Sequence, residues 1–195
     1  DIAFSCGGSG TSTDPYKLCT VEDMNMLSSA VLTGWPTQNV HFLVMNDISG
    51  IEMTIGNSNM AFQGHFNGDD HVLTVNITKS GYAGLFGNLG TDAYIEHVWV
   101  DGTITGTSSY TGGIAAYVYG TNITIDNCWN LATVSGQSYT GGIAGYTSGL
   151  TTDYVQMSNN YNYGNVSGTQ YVGGVDGYAD YTDLLSSTNE GTITN

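Results

Sequence analysis

The apolar positions of this chain repeat at a helical spacing near the N-terminus and at a strand-like spacing from about residue 40 onward. Met24, Leu27 and Val31 are separated by three and four residues, which predicts an amphipathic helix over about residues 21–32. Thr20 stands just before this segment and has an acid three residues later, a spacing typical of a capping box. A glycine and a proline follow the segment and predict its end.

Short runs in which apolar and polar residues alternate, interrupted by Gly, Asn, Asp and Ser, fill the rest of the chain. His41–Met45 is the first such run, and Val72–Ile77 alternates over its whole length. This pattern predicts short β-strands. Further strands are predicted in the middle of the later periods, at Tyr94–Val100, Asn122–Trp129 and Tyr154–Tyr161.

A glycine-rich phrase recurs four times along the chain. The copies lie at residues 83–87, 112–116, 141–145 and 173–177, and their aligned glycines are 29, 29 and 32 residues apart. Such a period is typical of stacked repeats, and short strands within each period predict one coil of a parallel β-solenoid. A β-sandwich or barrel is the rival fold, but neither requires this period. We therefore predict an all-β chain that forms a right-handed parallel β-solenoid of about five coils.

The helix and the repeats divide the chain into two predicted regions. Residues 1–39 form a lead-in with the helix, which we expect to cover the open end of the first coil because terminal repeats need a cap. Residues 40–195 form the solenoid itself.

Two columns of equivalent residues follow from the glycine phrase. The first is aliphatic and is predicted to stack inside the solenoid: Leu85, Ile114, Ile143 and Val175. The next column ends in a carboxylate, which predicts by alternation that it points outward: Phe86, Ala115, Ala144 and Asp176.

The repeats match a family pattern of the form Gly-Gly-Leu-Val-Gly-Tyr, Ile-x-Asn-Cys-Tyr and Gly-x-Val-x-Gly. The matching segments are Gly112–Tyr117, Ile125–Trp129, Thr133–Gly136, Gly141–Tyr146 and Asn165–Gly168. On these segments the chain resembles the GLUG-type repeats of bacterial surface and secreted proteins, which include non-catalytic parts of some immunoglobulin A peptidases. The resemblance extends over nearly the whole chain. It implies a β-solenoid in an adhesin-like context without a shared active site.

The charge of the chain excludes several kinds of partner. The 195 residues carry a formal net charge of −15, and Lys17 and Lys79 are the basic residues. Nucleic-acid backbones and anionic membrane surfaces both attract clustered cations, so we expect neither partner. The surface must be mainly Ser, Thr, Asn, Gly and Tyr, as in secreted or cell-surface β proteins. No apolar run is long enough for a membrane span, and Asp1 indicates a mature or trimmed chain.

The three cysteines have different surroundings. Cys6 and Cys19 flank a short loop, where they either pair or remain two small unpaired apolar residues. A disulfide there would stabilise the fold by about 3 kcal/mol if it acts by restricting the unfolded chain. Cys128 lies in the middle of a predicted strand and is interpreted as a buried free thiol.

Residue spacing does not favour catalysis. A pectin-lyase-like mechanism needs an Arg or Lys base, and the two lysines are isolated. Glycosidases need two carboxylates facing one cleft, and the adjacent Asp69 and Asp70 are expected in a solvated turn. His65 and His71 beside these acids form a weak metal hypothesis. We predict no enzyme activity and no cofactor; Ca²⁺ is the cation that the many Asp and Asn oxygens could bind.

Tyrosines form the most regular surface feature of the sequence. Six of them stand in register on either side of the glycine phrases and predict two stacked ladders, which either stabilise the coils or bind a sugar or a protein: Tyr110, Tyr117, Tyr139, Tyr146, Tyr171 and Tyr178. Glycosylation sequons occur at Asn76, Asn122 and Asn165, and they matter if the source modifies such sites.

These features together predict a non-enzymatic, extracellular adhesin or surface-structure module that binds a glycan or a protein. The alternative is a self-assembling filament subunit, because the last phrase, Gly191–Asn195, is a repeat strand that nothing in the sequence caps. In that case the chain continues or another copy covers this end. A carbohydrate-active enzyme is a third and weaker reading.

Overall fold

The computed structural model describes residues 2–195; Asp1 lies outside the described residues. The chain forms a parallel β-solenoid of about six turns, with one α-helix near its N-terminus. The predicted fold class is therefore confirmed, although the sequence predicted about five coils. The N-terminal third lacks the glycine phrase, and its strands continue the same parallel stack in two of the four sheets.

Helix α1 spans Val21–Leu32. The first twelve strands are β1 (Tyr16–Leu18), β2 (His41–Val44), β3 (Ile48–Ile51), β4 (His65–Asn67), β5 (Val72–Lys79), β6 (Tyr82–Ala83), β7 (Phe86–Leu89), β8 (Tyr94–Glu96), β9 (Trp99–Gly106), β10 (Tyr110–Gly112), β11 (Ala115–Tyr119) and β12 (Thr124–Asp126). The remaining strands are β13 (Trp129–Asn130), β14 (Thr133–Ser135), β15 (Tyr139–Gly141), β16 (Ala144–Ser148), β17 (Val155–Ser158), β18 (Tyr161–Asn162), β19 (Val166–Ser167), β20 (Val172–Gly173), β21 (Asp176–Asp180), β22 (Thr182–Leu185), β23 (Thr188–Asn189) and β24 (Ile193–Thr194).

The strands stack into four faces. Face A has the order β1-β2-β4-β8-β12-β17-β22, and face B runs β3-β5-β9 before it divides into the ladders β13-β18-β23 and β14-β19-β24. Face C has the order β7-β11-β16-β21, and face D has the order β6-β10-β15-β20. Each complete coil therefore visits faces D, C, A and B in turn. The predicted lead-in contributes β1 to face A.

The helix begins and ends where the sequence predicts. Thr20 and Asp23 form the capping box, in which the Thr20 hydroxyl accepts from the Asp23 amide and the Asp23 carboxylate accepts from the Thr20 amide. Met24, Leu27 and Val31 are buried in the core. The helix packs against β3, the first strand of face B, so it covers an edge that would otherwise be unpaired.

A disulfide closes a loop within the lead-in. Cys6 and Cys19 are bonded, with their Cα atoms 6.2 Å apart, which decides between the two alternatives that the sequence left open. Phe4 is buried beside the bonded loop, and its ring packs on Tyr16 and Phe42. The loop is therefore held by covalent and apolar contacts at once.

The predicted middle strands are interrupted by a corner. His97, Asn127 and Asn159 have φ of 52°, 55° and 55°, a left-handed conformation that ends one strand and starts another. Asn and His adopt this conformation more readily than most residues. The corner turns each coil from face A to face B. Cys128 follows this corner and lies between β12 and β13 rather than within a strand; it is a buried free thiol, as expected.

The glycine phrase forms the corner between faces D and C. A Cβ on Gly112, Gly141 or Gly173 would lie 1.9 Å from a carbonyl oxygen three residues later. The next glycine, such as Gly142, would place its Cβ 2.2 Å from the side-chain carbon of Asn162. The chain can bend this tightly because neither position carries a side chain.

The asparagines beneath this corner form an internal ladder. Asn130 donates to Asn162 at 2.8 Å, and Asn162 donates to Asn189 at 2.7 Å, between the side-chain amides. Each of the three also donates to a backbone carbonyl two residues later in its own coil. Asn130 and Asn162 are fully buried, and these bonds satisfy polar groups that would be costly to bury alone.

The prediction that the second column points outward is wrong. Phe86, Ala115 and Ala144 are fully buried and belong to the hydrophobic core, next to Leu85, Ile114 and Ile143. The aliphatic residue lies in the bend after the glycines and not in a strand. The alternation of inward and outward side chains along a strand does not continue through a bend, so the residues of both columns face inward.

Asp176 is the charged member of this inward column. It pairs in register with Ala144 in the last complete coil, where it is half-buried. Burial raises the pKa of Asp176 to about 7, although hydrogen bonds from the Thr147 hydroxyl and the Tyr178 amide oppose this shift. The carboxylate therefore takes up a proton within the range of ordinary buffers.

Replacing Asp176 by Ala, the residue found in the two preceding coils, is expected to remove a pH dependence of stability. Because the pKa is raised in the folded state, the bound proton stabilises the fold below about pH 4, and this contribution is lost as the pH rises to about 7. Between about pH 4 and pH 7, we expect the free energy of unfolding of Asp176→Ala to rise by about 1–2 kcal/mol relative to that of the parent. The change is smaller than the full pKa shift would give, because solvent screens a partly exposed carboxylate. Urea unfolding at several pH values measures it. Asp183→Ala is the control, and parallel pH curves for parent and Asp176→Ala would contradict the prediction.

Candidate binding surfaces

The predicted tyrosine ladders are present and meet at the corner between faces D and C. Tyr110, Tyr139 and Tyr171 lie at the face D side, and Tyr117, Tyr146 and Tyr178 lie on face C. Tyr82, which the sequence analysis missed, is in register with Tyr110. We call these seven residues the tyrosine strip. Tyr82 precedes Gly84 by two residues, just as Tyr110 precedes Gly112. This spacing in the sequence could have identified Tyr82 as a member of the ladder.

Rings of the strip stack along each ladder and pack edge-on between the ladders. Tyr139 and Tyr171 have ring centroids 4.9 Å apart at an angle of 4°, and Tyr146 and Tyr178 have centroids 5.3 Å apart at 2°. Across the corner, Tyr139 meets Tyr146 at 5.5 Å and 85°. Parallel stacking and edge-to-face packing are both favourable arrangements of aromatic rings. The strip is thus one continuous cluster.

This packing decides which parts of the rings a partner can reach. Tyr117, Tyr139 and Tyr146 each have a stacked ring on both faces, so their edges remain for solvent. Tyr171 in the last coil is 52% exposed, whereas Tyr117 and Tyr146 are half-buried. Burial, together with Tyr82 and Tyr146, raises the pKa of Tyr117 to about 12. Its hydroxyl therefore stays uncharged at neutral pH.

A second aromatic row lies on face B, and the sequence analysis did not identify it. Trp99 and Trp129 are adjacent in the sheet and stack at 4.3 Å and 4°. Tyr161 and Tyr163 pack on Trp129 at 5.3 and 5.5 Å. The recurrence of an aromatic residue after the corner was the signal, but the predicted strands Tyr94–Val100, Asn122–Trp129 and Tyr154–Tyr161 included these residues without a corner before them.

Each of three histidines pairs with a different acid. His65 Nε2 lies 2.6 Å from Glu96, and His97 Nδ1 lies 2.9 Å from Asp70. His71 Nδ1 lies 3.4 Å from Asp47, and its Nε2 lies 3.9 Å from Asp69. The metal hypothesis required His65 and His71 to share ligands with Asp69 or Asp70. Within residues 2–195 no group of three His, Cys, Asp or Glu side chains is positioned to hold a metal ion.

The three sequons are exposed. Asn76 lies on β5, where its side chain accepts from Thr103, and Asn165 accepts from the Thr192 amide. Asn122 lies in a turn with φ of 53°, and its amide donates to Asp92. Modification of Asn122 would therefore replace an existing contact, while Asn76 and Asn165 keep their amide nitrogens accessible.

Comparisons with known proteins support the fold. No family model matches the chain. A solved structure described as a "putative immunoglobulin A1 protease" from Bacteroides ovatus is similar, with a TM-score of 0.63 and 22% identity, over 96% of this chain and 66% of that chain. A protein of Evansella cellulosilytica named "Putative Gly-rich membrane protein" is 28% identical over 143 residues, which cover 65% of this chain and 16% of that protein.

The similar regions cover only part of each of these two proteins. The chain spans less than two thirds of the length of either protein. The likeness to the solved structure is one of fold, because its identity is low. In the described chain, none of the helical structure has the length and apolar character of a bilayer span.

Removing a ring from the centre of the strip is expected to destabilise the fold. Tyr146 contacts Tyr110, Tyr117, Tyr139 and Tyr178. Since each aromatic pair contributes about 0.5–1.5 kcal/mol, we expect Tyr146→Ala to cost about 2–4 kcal/mol in urea unfolding. Tyr119→Ala is the matched control, because Tyr119 is exposed and lies at the margin of the strip. Equal losses in the two variants would contradict a stabilising role of the ladder.

Proposed function

We propose that the chain is a non-catalytic, extracellular surface module that binds a protein partner through the tyrosine strip. The observation that carries this proposal is the continuous, uncharged array of tyrosine edges at the corner between faces D and C. Tyrosine is enriched in protein interfaces because its ring supplies contact area while its hydroxyl forms hydrogen bonds.

The packing of the rings favours a protein over a sugar at this surface. Sugar rings commonly stack on an open aromatic face, whereas both faces of Tyr117, Tyr139 and Tyr146 are occupied by neighbouring tyrosines. Edges and hydroxyls suit the mixed polar and apolar surface of a folded protein. The strip also offers a neutral contact area on a chain whose net charge is −15, so a partner need not be basic to approach it.

An extracellular location is supported by the Cys6–Cys19 disulfide, because such bonds persist mainly in oxidising compartments. The low content of charged residues and the resemblance to GLUG-type repeats support the same location. The similar structure from Bacteroides ovatus is named a protease, but its likeness to this chain concerns the fold. We assign this chain a binding role within that architecture.

Binding assays on immobilised extracellular proteins test this role. We expect the chain to bind at least one of fibronectin, collagen and mucin in surface plasmon resonance, with a dissociation constant in roughly the micromolar range. Tyr171→Glu introduces a charge at an exposed ring of the strip and should weaken binding about tenfold or more. Thr74→Glu places the same charge on an exposed residue of face B and should leave binding unchanged. Binding to none of the three proteins, or equal affinity for both variants, would contradict the proposal.

A second candidate function is self-association through the last coil. Leu184 is 45% exposed, although the residues in register with it, Met157 and Ile125, are fully buried. Ile193 is 38% exposed and continues the buried column of Val166 and Val134. Core positions exposed in this way favour a contact with a further coil, which either a continuation of the chain or, in the filament hypothesis, a second copy supplies.

Sedimentation velocity at rising concentration tests self-association. We expect the parent to form larger species and Leu184→Asp to remain monomeric, because a charge at a core position opposes stacking. Leu150→Asp is the matched control, since Leu150 is about equally exposed but lies between β16 and β17 of an inner coil. A parent that stays monomeric, with isolated particles in electron micrographs, would remove this candidate.

A further inference from the structure

A cleft opens on face A, away from the tyrosine strip. Its volume is about 300 Å³, and it is lined by Ser12, Pro15, His41, Leu43, His65 and Asn67. Phe42 also borders the cleft, although its ring is buried in the core. This volume is at the low end of the range for pockets that bind small molecules.

Two columns of outward-facing side chains form the cleft. His41 is in register with His65 and Tyr94, and Leu43 is in register with Asn67 and Glu96. The alternation of side chains along β2 and β4 brings both columns to the outer surface. The groove between the columns therefore runs across the strands.

The cleft is closed at two sides. Toward the later coils, the contact between His65 Nε2 and Glu96 Oε1 at 2.6 Å joins the two columns. On another side, the lead-in loop supplies Ser12 and Pro15. The His41 amide donates to the Gly10 carbonyl at 2.9 Å, and the disulfide holds the same loop. The walls are therefore preorganised.

Three polar groups of the cleft, those of His41, Asn67 and Ser12, are neutral donors and acceptors. Burial, with a further contribution from His65, lowers the pKa of His41, so its imidazole is uncharged at neutral pH and has one donor and one acceptor nitrogen. The Asn67 oxygen accepts from the Asp69 amide at 2.8 Å. The Asn67 amide nitrogen and the Ser12 hydroxyl are further polar groups at the rim.

The charged groups nearby are paired with one another. Glu96 faces His65, and Lys17, which precedes Leu43 in its column, lies 4.0 Å from Asp14. A bound anion would find no lysine among the lining residues, and a divalent cation would find no cluster of ligands within residues 2–195. The remaining lining is apolar surface from Pro15 and Leu43 beside neutral hydrogen-bonding groups.

We propose that this cleft binds one neutral sugar ring, whose apolar face lies on Pro15 and Leu43 and whose hydroxyls bond to His41 and Asn67. A pyranose combines such a face with a rim of hydroxyls that both donate and accept. The site lies on a different face from the tyrosine strip, so it adds a small-molecule ligand to a module that binds protein elsewhere. A ligand of this size in an open cleft is expected to bind with a dissociation constant of order 1–10 mM.

The four histidines of the chain make this proposal directly testable by NMR. His41 and His65 line the cleft, whereas His71 and His97 lie outside it. We expect saturable shifts of the His41 and His65 imidazole signals with at least one of glucose, galactose, mannose and N-acetylglucosamine, up to about 100 mM. The His71 and His97 signals should not move, and glycerol should produce no saturable shift.

Two variants separate sugar binding from other effects. Asn67→Ala should weaken the sugar about fivefold or more by removing a hydrogen-bonding group, while Asn165→Ala, an exposed asparagine on face B, should bind as the parent does. Tyr171→Glu should also retain sugar binding, which keeps this result independent of the tyrosine strip. The proposal is overturned if no sugar shifts His41 and His65 selectively, if glycerol acts as the sugars do, or if Asn67→Ala binds with unchanged affinity.

Discussion

The close approach of the glycine corner to the asparagine ladder is the constraint on which the regular part of the solenoid depends. Gly142 lies so near Asn162 that a Cβ would overlap its amide, and Asn162 in turn bonds to both neighbouring coils. The asparagine ladder fixes how each coil is aligned with the next along the solenoid axis. Because the glycines have no side chains, the backbone can turn close to the ladder. Equivalent residues of successive coils then lie directly beside each other on each face. Both the buried columns and the tyrosine ladders require this alignment.

The N-terminal and C-terminal coils place their aromatic residues differently. Near the helix the interior holds phenylalanines that pack at tilted angles, including Phe42, Phe62 and Phe86, whereas the next two coils hold alanine in the column of Phe86. In those later coils the aromatic rings lie outside, as the tyrosine strip. The N-terminal coils thus depend on apolar bulk inside, while the C-terminal coils combine a small interior with aromatic stacking on the surface.

The strip could be predicted from the sequence because its members keep a constant offset from the glycines. The cleft could not, because it joins residues from separate parts of the chain. Ser12 and Pro15 come from a loop that folds back onto β2, and no periodicity of the sequence indicates where that loop lies. The histidine pairing was missed for a related reason: His65 meets Glu96 only when the register between β4 and β8 is known.

The sequence by itself determined the stacked parallel fold, the helix over Val21–Leu32 and the tyrosine ladders, because each depends on local spacing repeated in every coil. Tertiary structure decided the direction of the column that contains Asp176, since the bend after the glycines resets the alternation of side chains. It also decided the Cys6–Cys19 bond and the cleft beside it, because both depend on how distant segments meet in space.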